Sequence, residues 1–162
     1  MSATVETLCE RLTAAVAAPE VASFARGLEL VIRFGTDTQT IDVVFTPENI
    51  AVAPSSGAAD ISLIAADAAW QLALQAMPPP TYHSFSSIQL RNPRFTISGD
   101  PLAIAQARAC LEAVFARLNG DNGGATTIDL HRLQSRYSRV RAASGQICDI
   151  FSESAGDGIP VL

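Results

Sequence analysis

Phe95-Thr96-Ile97-Ser98-Gly99-Asp100-Pro101-Leu102-Ala103-Ile104-Ala105 is the stretch whose reading decides the fold. Phe95 and Ile97 alternate with Thr96 and Ser98, the pattern of a half-buried strand. Gly99 makes the turn. Asp100 stands where a helix cap is needed, and Pro101 fills the first helical position. An Ala-rich amphipathic helix then runs to Leu118, with Leu111, Val114, Phe115 and Leu118 as its buried stripe, before Asn119-Gly120 stop it.

Upstream, Val5, Leu8, Cys9, Leu12, Ala15 and Val16 recur at helical spacing, with Ser2 or Thr4 as cap. Pro19 opens a second, short helix that ends near Gly27. The period then changes to two. Leu28, Leu30, Ile32 and Phe34 share a strand face, Ile41, Val43 and Phe45 repeat the alternation, Ile50 and Val52 begin a third strand, and Ile61 and Leu63 mark a fourth. Short polar turns between them predict an antiparallel meander. Asp67 is the expected cap of a helix carrying Trp70, Leu74 and Met77, which Pro78-Pro79-Pro80 must end. Residues 81–87 read as a polar loop. Ile88 and Leu90 read as the start of the fifth strand, broken at Asn92-Pro93 and resumed at Phe95. The fold class expected is therefore α+β, an antiparallel five-stranded sheet covered by helices.

The order helix, four strands, helix, strand, helix, closed by the Ser98-Gly99-Asp100-Pro101 turn and its Ala-rich helix, resembles a sterol carrier protein type 2 domain over residues 3–118. Two departures stand out. Asn92-Pro93-Arg94 replaces a basic Gly-Lys entry to the last strand, and three prolines with a longer insertion replace a short Gly-containing loop. Both fall where the family's tunnel mouth is expected, so ligand identity does not carry over. The resemblance implies an apolar interior that binds a lipid, acyl or sterol-like molecule by area burial. The candidate ligand-binding residues are Leu30, Ile32, Phe34, Ile41, Val43, Phe45, Trp70, Leu74, Met77, Phe85, Phe95 and Ile97, expected around a pocket between the sheet and the Trp70 helix. The alternative for the same residues is a dry core.

Composition narrows the function classes. The chain has 162 residues, 48% hydrophobic and 17% charged, which excludes intrinsic disorder. Its net charge is −5, and all eleven basic residues are Arg. An acidic chain argues against a general nucleic-acid binder and against a polybasic membrane contact. The absence of Lys excludes Schiff-base chemistry and a P-loop lysine. No run of about 18 apolar residues predicts a membrane span, and no signal peptide is evident. Cys9, Cys110 and Cys148 are too scattered for a disulfide framework and read as reduced thiols of a cytoplasmic protein. With His83 and His131 they offer no metal-ligand spacing, so neither metal nor cofactor is expected. His83 reads as a solvated side chain, and no catalytic residue is assigned.

Residues 119–127 read as a linker. Residues 128–162 read as a β-hairpin extension, with strands expected at 136–142 and 146–153. Arg136-Tyr137-Ser138-Arg139-Val140, Gly145-Gln146-Ile147 and Glu153-Ser154-Ala155-Gly156-Asp157-Gly158-Ile159-Pro160-Val161-Leu162 resemble the opening of an α/β-hydrolase, cut short before its oxyanion-hole loop. The chain holds no G-x-S-x-G, so such a segment is inactive alone. Because Ile147, Ile150 and Phe151 need cover, residues 128–162 are expected to be held by the sheet of residues 28–97, by a second copy of the chain (self-association) or by a hydrolase polypeptide. Three readings follow: a binder of a hydrophobic small molecule, the accessory part of a hydrolase, or a structural and dimerising module.

Overall fold

The computed structural model describes residues 2–119, together with the backbone of residues 134–141 and 147–154. The chain divides into two units, Met1–Asn122 and Gly123–Leu162. In the second, β6 (Gln134–Arg141) and β7 (Ile147–Ser154) pair antiparallel. Of the expected linker 119–127, Asn119 is the C-cap of α5 and residues 120–127 lie outside the described residues, as do 142–146 and 155–162 of the hydrolase-like segment 136–162.

The first unit is built from α1 (Ala3–Val16), α2 (Pro19–Phe24), β1 (Leu30–Gly35), β2 (Thr40–Phe45), β3 (Ile50–Pro54), β4 (Ile61–Ala65), α3 (Asp67–Ala73), α4 (Phe85–Arg91), β5 (Phe95–Gly99) and α5 (Pro101–Leu118). The deciding turn forms as its residues dictate. Asp100 caps α5 by accepting a hydrogen bond from the Ala103 N–H at 3.1 Å. Gly99 has φ +141°, and a Cβ there would stand 2.2 Å from the Asp60 carbonyl oxygen. Only glycine allows β5 and the start of β4 to approach this closely. At the other end of the unit, Ser2 Oγ accepts from the Val5 N–H and caps α1, while Val5, Leu8, Leu12 and Ala15 form its buried stripe.

The sheet order is β3-β2-β1-β4-β5, and the sheet is mixed. β1 pairs antiparallel with β2, but β4 pairs parallel with β1, Ile32 opposite Ile61 and Phe34 opposite Leu63. The expected antiparallel meander is thus corrected after its third strand. The Pro54–Gly57 stretch is not a hairpin turn. It carries the chain over the outer face of the sheet, where Ser55 Oγ donates to Asp42 Oδ1 at 2.7 Å and the Ser56 N–H to Asp42 Oδ2 at 3.1 Å. Arg33 donates to the Gly57 carbonyl and forms a two-pronged ion pair with Asp42 at 2.8 and 2.9 Å. Arg33 and Asp42 stand opposite each other on adjacent strands, so one charged pair holds the crossover to the sheet.

Two further expectations are corrected. Ile88 and Leu90 lie in α4, not in a strand, and the last strand is Phe95–Gly99 alone. Ser84 caps α4 through the Ser87 N–H, while Glu112 of α5 accepts from the N–H groups of Phe85 and Ser86 at 3.1 and 2.7 Å. Ser84 is a local cap signal, and Glu112 adds a second one from a distant part of the chain that local pattern does not reveal. Likewise α3 ends at Ala73, its N-cap is Ala66 rather than Asp67, and Met77 lies beyond it, 87% exposed. Arg11 reaches across to donate to the carbonyls of Leu74 and Leu118, taking up free acceptors where α3 and α5 end.

Thr81 follows the three prolines with φ +75°, a left-handed conformation that a β-branched residue rarely adopts. Asn92, itself buried, donates from its side-chain amide to the Thr81 carbonyl at 3.2 Å and holds the loop there. Thr81→Gly is therefore expected to raise the unfolding free energy by about 1 kcal/mol, measured by urea denaturation. An unchanged or lower midpoint would count against strain at this residue.

Candidate functional site

The core of the first unit gathers on one face of the sheet. Trp70 is fully buried at its centre, with Phe95 edge-on at 4.9 Å, Phe34 at 6.3 Å and Phe115 at 6.5 Å between ring centroids. Its indole N–H donates to the Gly35 carbonyl at 2.8 Å. Of the twelve candidate ligand-binding residues, Leu30, Ile32, Phe34, Ile41, Val43, Phe45, Trp70, Leu74, Phe85 and Phe95 belong to this buried cluster. Ile97 is partly buried against it, and Met77 stands outside it.

A groove of about 620 Å³ runs between the end of α1, α2, the β2–β3 turn and β3. Val16, Ala22, Ala25, Ile50 and Val52 supply its apolar lining, and Arg26 and Glu48 its charges. The depression exists because Ala17, Ala22 and Ala25 present methyl groups where larger side chains would fill it. The turn that forms its other wall is braced, the Thr46 N–H donating to the Asn49 carbonyl at 2.9 Å and the Asn49 N–H to Thr46 Oγ1 at 3.1 Å. A second depression of about 430 Å³ shares Arg26 and is lined by Phe24, Gly27, Leu28, Glu29, Leu30 and Gln106. Of the candidate residues, Leu30 alone borders either depression. Sequence reasoning missed the groove because its walls come from separate elements. The available signal was the run of alanines on the α1–α2 segment, which also reads as simple helix propensity.

The described side chains offer little for covalent chemistry. His83 Nε2 lies 3.2 Å from Ser87 Oγ, but the pair is exposed and no described residue orients the imidazole. Burial pushes the Cys110 thiol up to about 11, which keeps it protonated and unreactive. The groove's size and apolar lining suit it to holding a small molecule.

A mixed five-stranded sheet with helices packed over its apolar face and an Ala-rich helix closing the unit is the architecture of sterol carrier domains, α+β in class. The crystal structure of sterol carrier protein 2 superposes with a TM-score of 0.50 at 12% identity, covering 74% of this chain and 95% of that one. Two other solved structures are similar. The ubiquinone synthesis protein UbiJ-SCP2 has a TM-score of 0.44 at 16% identity, covering 75% of this chain and 93% of its own. A conserved hypothetical protein of Thermus thermophilus, itself only suggested to be a sterol carrier protein, has a TM-score of 0.47 at 14% identity, covering 74% and 87%. At these identities the shared property is the fold. No protein-family model matches the chain, and no curated protein matches it. Nothing in these comparisons supports the α/β-hydrolase resemblance of residues 136–162. Among the described residues no helix is long and apolar enough to cross a membrane.

Proposed function

We propose that the chain binds a hydrophobic small molecule, of lipid, acyl or sterol-like character, in the groove between α1, α2 and β3. The observation that carries this reading is the groove itself: about 620 Å³ of open space with Val16, Ala22, Ala25, Ile50 and Val52 in its walls, on a sterol-carrier-like fold. Ligand pockets fall in this size range and combine apolar walls with a few polar groups. Arg26 and Glu48 are the polar groups at hand. Around Trp70 the rings of Phe34, Phe95 and Phe115 pack against it, whereas the groove is open to the surface. No observation supports the hydrolase reading of residues 128–162.

The test uses a pyrene-labelled fatty acid and a fluorescent sterol, titrated against the wild-type chain and Ala22→Trp. Ala22 is exposed, so the larger side chain fills the groove without entering the core. Binding of at least one probe is expected, weakened about tenfold or more in the variant, since a ring would displace the apolar contacts. Absence of binding to either probe, or binding that Ala22→Trp leaves unchanged, would overturn the reading.

A further inference from the structure

The net charge of −5 conceals an uneven distribution. From Ala68 to Gly99 the sequence contains no Asp and no Glu, but it contains Arg91, Arg94 and His83. In the structure this acid-free stretch forms most of α3, the proline loop, α4 and β5. It also carries the two most exposed large apolar side chains of the described residues, Met77 at 87% and Leu90 at 75%. Arg91 and Arg94 are exposed and have no ion-pair partner among the described residues. They flank Asn92, whose side-chain amide donates to the Thr81 carbonyl and so ties the end of α4 to the loop that follows Met77 and the three prolines. Glu112, the acid that α5 directs at this segment, is occupied by the N–H groups of Phe85 and Ser86.

From this juxtaposition we infer that the surface of Met77, Leu90, Arg91 and Arg94 docks on an anionic lipid bilayer. Protruding apolar side chains beside cations match the headgroup region, where apolar tips enter and guanidinium groups meet lipid phosphates. The shape favours a bilayer over a peptide. Neither of the two depressions described above receives a residue from this stretch, and Pro78, Pro79 and Pro80 have no N–H to pair with an extended chain. The bilayer attracts this acid-free surface and repels acidic ones, which favours approach by this face of the first unit. The inference does not depend on the ligand groove, which lies on other elements.

Vesicle co-sedimentation of the full chain tests it, with phosphatidylcholine alone compared with phosphatidylcholine and phosphatidylglycerol in equal parts. The wild type is expected to sediment with the anionic vesicles at low salt and to be released as salt rises. Arg91→Gln with Arg94→Gln should weaken that partitioning roughly 20- to 30-fold, since each basic residue near an anionic surface contributes a factor of about five. Met77→Ser with Leu90→Ser should weaken it about tenfold or more. Leu102→Ser, which removes another exposed apolar side chain but beside Asp100, should change nothing. All these side chains are exposed, and unchanged thermal unfolding of each variant shows that the fold is intact. The inference fails if the wild type does not bind, if it binds neutral and anionic vesicles equally, or if the patch variants bind as the wild type does.

Discussion

Trp70→Ala is expected to lower the unfolding free energy by about 3–5 kcal/mol, the usual cost of removing a large buried aromatic side chain. Trp70 has no exposed surface and touches the sheet through Phe34 and Phe95 and the long closing helix through Phe115. Its removal leaves a cavity between those layers and deprives the Gly35 carbonyl of its indole donor. Trp70→Phe should cost less, because the ring contacts are partly kept while the hydrogen bond is lost. Denaturant unfolding followed by far-ultraviolet circular dichroism measures both. A loss of only about 1 kcal/mol for Trp70→Ala, well under the range for such truncations, would mean that the interior collapses readily around the missing ring.

The second large effect falls on the outer face of the sheet. Asp42→Ala is expected to cost about 2–3 kcal/mol, because it leaves the Ser55 hydroxyl and the Ser56 N–H without their acceptor and Arg33 with the Gly57 carbonyl in place of its charged partner. The paired Arg33 guanidinium, aided by hydrogen bonds from Ser55 and Ser56, holds the Asp42 carboxyl below its ordinary range against the opposing effect of burial. The sign of the pH dependence follows. A carboxyl with a lower pKa in the folded state stabilises the fold above its unfolded value, and that stabilisation is lost as pH falls through the folded one. The wild type should therefore lose stability on acidification below the ordinary carboxylate range. Asp42→Asn should lose less over the same interval. Parallel acid profiles for the two proteins, measured by thermal unfolding, would remove Asp42 from this role.

Much of the local structure was legible in the sequence because its causes are local. A cap residue, a proline at the first helical turn and a glycine at a close approach act over a few positions. Ser2, Asp100, Pro101 and Gly99 show this, as does the alternation of Leu30, Ile32 and Phe34 against Ile41, Val43 and Phe45. Where partners are distant, the pattern misled. α4 reads as loop and strand until Glu112, far along the chain, is seen to accept from its first N–H groups beside the Ser84 cap. β4 reads as the next strand of a meander until Arg33 and Asp42 are seen holding the crossover that turns it parallel to β1.

The candidate site divides in the same way. Apolar spacing identified the residues that gather around Trp70, since hydrophobicity reports burial whatever the partner. It could not say whether they enclose space, because that depends on how rings from Phe34, Phe95 and Phe115 meet in three dimensions. The groove needs Ala22 and Ala25 of one segment to face Ile50 and Val52 of another, a juxtaposition set by how the helices settle on the sheet. Charge behaves likewise at the surface. Composition determined an acidic protein, and the chain order an acid-free stretch within it. Only the tertiary structure set Met77 and Leu90 outward on that stretch. Leu90 points to solvent because burying Phe85 and Ile88 turns the opposite side of α4 outward, and Met77 because α3 ends before reaching it.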